Sequence, residues 1–372
     1  MIGLTKAKLR VEVCSTASDQ RVTILLPVLN EAQRIDACLA ALCQQHEEVV
    51  EILVIDGGSN DGTQAIVQRH HNVDGRVKLV DASPVDPLWT GKAWGLHRGL
   101  QSSSNGSDWI LCVDADVTVQ PLLVRSLLHH VQRSGVRIFS VATAQRLSGS
   151  LEGLIHPAML TTLIYRFGSP GRATKNRHRV QANGQCFFAP REILLRTEAF
   201  RAAQTSLCED ITIVRCLAQS GERIGFYEAN GLVEVNMYQS WRETWNNWPR
   251  SLPMRDQYFG WHEALALIGV LVVQALPLPA LMIGALLHVP LLIVVAGFLL
   301  TIRLGVLFGI ARAYPDRPWT FWLSPLADLP VILRIIQFAL PRQHSWRGRT
   351  YRRGKGGVFE PLDDTDKRRK ML

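Results

Sequence analysis

The sequence predicts an α/β protein, with a mainly parallel sheet in its amino-terminal part and membrane helices near its carboxyl end. Short apolar runs alternate with amphipathic segments over the first 134 residues, the pattern of strands joined by crossover helices and covered on both faces. From Ala264 to Ile302 no residue is charged, about twice the ~20 residues that one membrane-spanning helix needs. Acidic residues gather where the strands end, which is where open α/β sheets bind ligands.

The elements follow in order. "VTILLPV" (22–28) reads as a strand and "EAQRIDACLAALCQQ" (31–45) as a helix with Ile35, Leu39 and Leu42 facing inward. "EILVID" (51–56) is a second strand, 63–71 a helix, "VKLVDA" (77–82) a strand and 92–103 a helix. "WILCVD" (109–114) closes the series before a helix near 121–134.

The chain has 372 residues, is 47% hydrophobic and carries a formal charge of +9, a basic balance that suits an anionic membrane surface. No nucleic-acid partner is expected. Its seven cysteines are odd in number and scattered without a C-x-x-C pair, so they read as free thiols in a reducing compartment. Residues 1–21 are mixed and charged with no apolar signal stretch, so the part before the membrane region is expected in the cytosol.

Asp114 and Asp116 stand one residue apart after an apolar strand. Side chains at i and i+2 of a strand share a face, so the two carboxylates converge and repel unless a cation lies between them. A solvated turn would equally explain the pair. "DGGSNDGT" (56–63) has glycines suited to positive φ and Asp61 or Thr63 to cap the next helix, which is also an ordinary loop; it lacks a P-loop lysine. Glu209-Asp210 open a helical pattern with apolar residues at 211, 214, 217 and 218, where acids are expected on dipole grounds alone.

Taken together, "ILLPVLNEAQRI", "VIDGGSNDGT", "GKAWG" (91–95), "DAD" (114–116) and "CEDITIVRCLAQSGERIGF" (208–226) resemble family 2 glycosyltransferases, over roughly residues 20–250. The resemblance implies a GT-A fold with a nucleotide-sugar donor (UDP-, dTDP- or GDP-linked) and a divalent metal, Mg or Mn. It implies that Pro27, Glu31 and Asp56 hold the base and ribose, that Lys92 lies by the phosphates, that Asp114 faces the ribose or the metal and that Asp116 binds the metal. Asp210 would be the general base, and the sugar would be inverted. Elementary chemistry agrees: a diphosphate leaving group needs a hard cation, and the attacking hydroxyl needs a carboxylate to take its proton. Asn183-Gly184 resembles the family's acceptor-side loop and is equally a plain turn.

Processive members carry Q-x-x-R-W after the catalytic aspartate. Here "MYQSWRETWNNWPRS" (237–251) offers Gln239 and Arg242 but Glu243 in place of tryptophan. The arrangement Glu243, Trp245, Trp248, Arg250 is similar to membrane enzymes acting on isoprenoid lipids, of the carotenoid and hopanoid type, and implies an active-site part for Arg250. Tryptophans anchoring a helix at the membrane interface would explain it as well.

Residues 264–287 and 289–311 can each cross a bilayer, with 288–290 as the outer turn. The segment 320–340 contains Pro325, Asp328, Pro330 and Arg334, costly in lipid, and is expected to be re-entrant or interfacial. That keeps the basic stretch 342–355 on the cytosolic side. The residues after Arg352 read as mobile. The expected organisation is an extension (1–20), a catalytic domain (21–255), a membrane region (256–341) and a basic tail (342–372). The expected activity is transfer of a sugar to the hydroxyl of a membrane lipid, a carotenoid or other isoprenoid alcohol. The alternatives are a polyprenyl-phosphate or sphingolipid-type acceptor, or a binding scaffold without turnover.

Overall fold

The computed structural model describes residues 10–339, 343–346, 349–354 and 358–361. Chain order begins with β1 (Val22–Val28), α1 (Ile35–Cys43), β2 (Val49–Asp56), α2 (Thr63–Val73), β3 (Val77–Asp81), α3 (Gly91–Ser102) and β4 (Trp109–Val113). Strands β3, β2, β1 and β4 lie side by side and parallel. Leu25 is in register with Cys112 and Val28 with Asp56, so Pro27, Asp56 and Asp114 all reach one edge of the sheet.

The alternation in β1 explains the layering. Val22, Ile24 and Leu26 pack into one core with Leu39 and Leu42 of α1, whereas Leu25 packs into the other with Leu96 and Leu100 of α3. Each such side chain, removed from water, contributes about 1.5–3 kcal/mol. The helix at α1 starts at Ile35, not at 31. Asn30 takes a positive φ of 56° and Glu31 N donates to Thr63 Oγ1, so residues 30–34 form a turn bonded to the neighbouring loop.

The chain continues through β5 (Val117–Val119), α4 (Leu123–Ser134), β6 (Ile138–Ala142) and β7 (Ala144–Gln145), of which β6 joins the main sheet while β5 and β7 belong to a separate three-stranded one. The long helix α5 (Ser150–Phe167) leads to β8 (Arg172–Thr174), β9 (Cys186–Pro190), α6 (Arg191–Arg196), α7 (Ala199–Ala202) and α8 (Glu209–Gln219). After β10 (Ile224–Glu228) and β11 (Val233–Val235), the eight-stranded order is β3-β2-β1-β4-β9-β6-β10-β8. Strand β9 runs antiparallel between β4 and β6, and β8 runs antiparallel at the edge, so the sheet is mostly parallel with two reversals.

Helix α9 (Trp241–Ser251) opens the carboxyl-terminal part, with Ser240 Oγ accepting from Glu243 N as its cap. The segment expected as a span at 264–287 is a bent pair of helices. It comprises α10 (Trp261–Val270), a π turn (Leu271–Ala275) and α11 (Pro277–Leu286), bent by 46°. Pro277 lacks the N–H that a continuing helix would use, and the π turn lies just before it. The following α12 (Pro290–Ile310), prolonged to Ala313 by a 3₁₀ turn, is long and apolar enough to cross a membrane. Between them His288 makes the turn with φ 53°.

The third apolar segment is a 3₁₀ stretch (Trp319–Ala327) running into α13 (Asp328–Ala339), and together they too meet the length and apolarity for crossing. The costly Asp328 is neutralised by a partner the sequence reading missed. Arg303 of α12 donates Nε to Asp328 Oδ2 at 2.8 Å and Nη2 to Oδ1 at 3.0 Å, with Ser324 Oγ and Gln274 Nε2 completing the set. Arg334 lies over the Trp245 ring of α9 and donates to Asn246 Oδ1 at 2.9 Å, so its charge ends against α9.

Strands β12 (Gln343–Trp346), β13 (Arg349–Arg353) and β14 (Phe359–Pro361) form a small antiparallel sheet. Within the stretch past Arg352, Phe359 N donates to Thr205 O at 2.9 Å and ties the sheet to the domain. Residues 1–9, 340–342, 347–348, 355–357 and 362–372, with parts of the expected extension and basic tail, lie outside the described residues.

Candidate active site

One cleft of about 1060 Å³ opens at the strand edge. Pro27, Glu31, Lys92, Asp114, Asp116, Asp210 and Arg250 all line it, so the fold brings together seven side chains drawn from widely separated parts of the chain. Asp56 is not among the lining residues. It is buried, and its carboxylate accepts from Ser59 N, from Ser59 Oγ at 2.5 Å and from Gln64 Nε2 at 2.5 Å. Its effect on the cleft runs through the loop it holds, whose Gly57 does line it.

Asp114 and Asp116 lie in the turn between β4 and β5, not along one strand as the i, i+2 argument assumed. They nevertheless face one cleft. Burial, and then the nearby Asp114 charge, push the Asp116 carboxyl up to about 7. Its Oδ1 is buried with no hydrogen-bond partner among the described residues. An orphaned acceptor beside a second carboxylate fits a hard divalent cation. Among the described residues no group of three or more His, Cys, Asp or Glu converges, so further ligands would come from water and substrate oxygens.

Lys92, in the first turn of α3, reaches across the cleft floor. Its Nζ lies 2.7 Å from Asp114 Oδ1 and 2.8 Å from Glu209 Oε1. Burial alone would lower its pKa, but the two carboxylates outweigh that and hold the ammonium well above its ordinary value. Asp210 follows at the start of α8, with Oδ1 accepting from Ile211 N at 2.7 Å and Oδ2 from Gly184 N at 3.3 Å. Burial, then the Glu209 charge, push the Asp210 carboxyl up to about 7, where a carboxylate can take and release a proton near neutrality.

A Cβ at Gly184 would stand 2.9 Å from Lys92 Nζ, so the ammonium would have to shift, and 3.5 Å from Asp210 Cβ. The "NG" turn is therefore part of the cleft floor. Glu243, where tryptophan was expected, accepts from Arg34 Nη2 at 3.3 Å and from Gln239 N at 2.9 Å, closing the cleft between α9 and the turn after β1. Trp248 is buried against His156 at 4.2 Å between ring centres and lines the cleft, so it is not an interfacial anchor. The wall beyond is apolar and was not foreseen. Leu160, Leu163 and Ile164 of α5 face the cleft together with Val306 and Ile310 from the last two turns of α12.

Residues 23–202 match the family described as Glycosyl transferase family 2. Over that stretch, just under half of its length, the chain is similar to this family. This glycosyltransferase is 27% identical over 258 residues to the succinoglycan biosynthesis protein ExoA of Rhizobium meliloti, across 67% of this chain and 69% of that one. It is 25% identical over 222 residues to 4,4'-diaponeurosporenoate glycosyltransferase of Staphylococcus aureus. That match spans 59% of this chain and only 56% of the relative's length. Among solved structures, a mannosyltransferase from Pyrobaculum calidifontis, in complex with GDP-Man and Mn2+, has a TM-score of 0.52 at 17% identity. It covers 87% of this chain and 90% of that one, a likeness of fold.

Proposed function

We propose that this glycosyltransferase moves a sugar, with inversion, from a nucleotide-sugar donor to the hydroxyl of a membrane lipid, a carotenoid or other isoprenoid alcohol. One observation carries the reading: the cleft holding Lys92, Asp114, Asp116 and Asp210 continues into an apolar wall made partly by α12, a helix able to span a membrane. A water-soluble acceptor has no use for such a wall, whereas an alkyl or isoprenoid chain is stabilised by it.

In this reading Pro27, Glu31 and the loop held by Asp56 receive the base and ribose. Asp116, with Asp114, would hold a divalent cation, Mg or Mn, that offsets the negative charge developing on the leaving diphosphate. Lys92 adds a positive charge to the same phosphates once released from its carboxylates. Asp210 accepts the proton of the acceptor hydroxyl as that oxygen bonds to the anomeric carbon and the bond to the diphosphate breaks. Arg250 faces the cleft from α9, where it can steady an anionic group of either substrate. The catalytic domain would sit on the cytoplasmic face.

A second reading is a polyprenyl-phosphate acceptor, whose isoprenoid chain the same apolar wall would take. Lipid mass spectrometry of membranes with and without the active enzyme tests both. A glycosylated isoprenoid alcohol that vanishes with the enzyme supports the first, a glycosylated polyprenyl phosphate the second. Donor bound without any turnover would leave only the scaffold.

A further inference from the structure

The segment joining α5 to β9 touches two places at once. At its far end Asn183 and Gly184 line the cleft, and Gly184 N donates to Asp210 Oδ2. At its middle, residues 172–179 read "RATKNRHR", four cations and no acid. Arg172, Lys175 and Arg179 are exposed and, among the described residues, make no side-chain ion pair. Arg177 is held over Tyr258, 5.9 Å from the ring centre.

The loop is anchored where the membrane region begins. His178 Nδ1 lies 2.7 Å from Glu263 Oε1 in the first turn of α10, and its ring packs 4.8 Å from His262. From that turn onward α10 and its π turn present an exposed apolar stripe, Trp261, Leu265, Ile268 and Val272, at helical spacing. Two acids at the start of the membrane region are already committed: Glu263 to His178 and Arg215, and Asp256 to Arg215 at 2.7 Å. Cations without ion pairs among the described residues therefore stand where an exposed apolar stripe starts, with an exposed tryptophan at its head. Where such a stripe enters a bilayer, its start lies at the depth of phospholipid headgroups.

We propose that residues 172–179 dock onto anionic phospholipid headgroups, and that docking orders the segment leading to Asn183 and Gly184, so that membrane charge sets the rate at the cleft. The docking stands on charge and placement alone. The effect on rate rests also on the reading of the cleft as the transfer site. Each cation beside an anionic surface multiplies binding about fivefold, and the attraction is screened beyond roughly 10 Å at 0.1 M salt.

The test uses the full chain in nanodiscs of phosphatidylcholine alone or of an equal mixture with phosphatidylglycerol. Hydrogen–deuterium exchange of residues 168–184 should slow in the anionic discs and recover at high salt. The Lys175→Gln/Arg179→Gln variant should exchange like wild type in neutral discs, which shows that it is folded, and should lose the response to phosphatidylglycerol. Inorganic phosphate added to neutral discs should not reproduce the protection. Equal exchange in both discs, a variant that keeps the response, or protection by phosphate alone would each overturn the docking. Sugar transfer should be faster for wild type in anionic discs and indifferent to lipid in the variant. Protection without any change in rate would overturn the coupling, and no transfer in any disc would count against the proposed function instead.

Discussion

Lys92 Nζ lies 2.8 Å from Glu209 Oε1 and 2.7 Å from Asp114 Oδ1, so one ammonium ties the acidic turn after β4 to the start of α8. The two acidic motifs, 95 positions apart in the chain, thus share a counter-charge, and Glu209 in turn raises the pKa of Asp210. Glu209→Gln removes that like charge, so the Asp210 pKa should fall from about 7. A base works deprotonated, and activity therefore rises with pH through its pKa. The rising limb of kcat/KM against pH, which reports the free enzyme, should move to lower pH in the variant. An unmoved limb would detach Asp210 from that limb.

The strand–helix series was legible because β1, β2 and β4 are short apolar runs that alternate between two cores, and periodicity reads such runs well. The cleft acids were legible only as candidates, because a pair such as Glu209-Asp210 has an ordinary explanation at any helix start. What stayed hidden depends on tertiary contact. Nothing local pairs Arg303 with Asp328 or turns Val306 and Ile310 toward α5, and the inward use of Trp248 follows from its stacking on His156. The antiparallel insertion of β9 was hidden for the same reason: an apolar pentapeptide carries no mark of its direction.

The Arg303–Asp328 pair is buried, and removing one member leaves an uncompensated charge worth about 3–5 kcal/mol. Arg303→Met should therefore lower the thermal unfolding midpoint in detergent strongly. The double variant with Asp328→Leu should recover much of the loss, since an apolar pair of similar volume is often neutral or better. A double variant as unstable as the single would show that the hydrogen bonds to Ser324 and Gln274, and not the charge balance, hold α13 to α12.

Asp116→Asn removes one charge from the proposed cation site while keeping its size. Turnover should drop to near background, and a chelator should do the same to wild type. Restoring excess Mn2+ should rescue the chelated wild type fully and the variant only in part. Full turnover in chelator would exclude the metal role of Asp116.

Asp210→Asn tests the central claim most directly, because it separates chemistry from binding. The amide keeps the size and most of the hydrogen bonding of the carboxylate but cannot take a proton. Sugar transfer should fall by the ~10²–10⁴-fold that general base catalysis supplies. Affinity for the nucleotide sugar, measured by calorimetry with metal present, should stay close to wild type, since Lys92, Asp114 and Asp116 are untouched. Slow transfer with intact donor binding is the predicted result. Near-normal transfer, or donor binding lost together with activity, would contradict the assignment of Asp210 as the base.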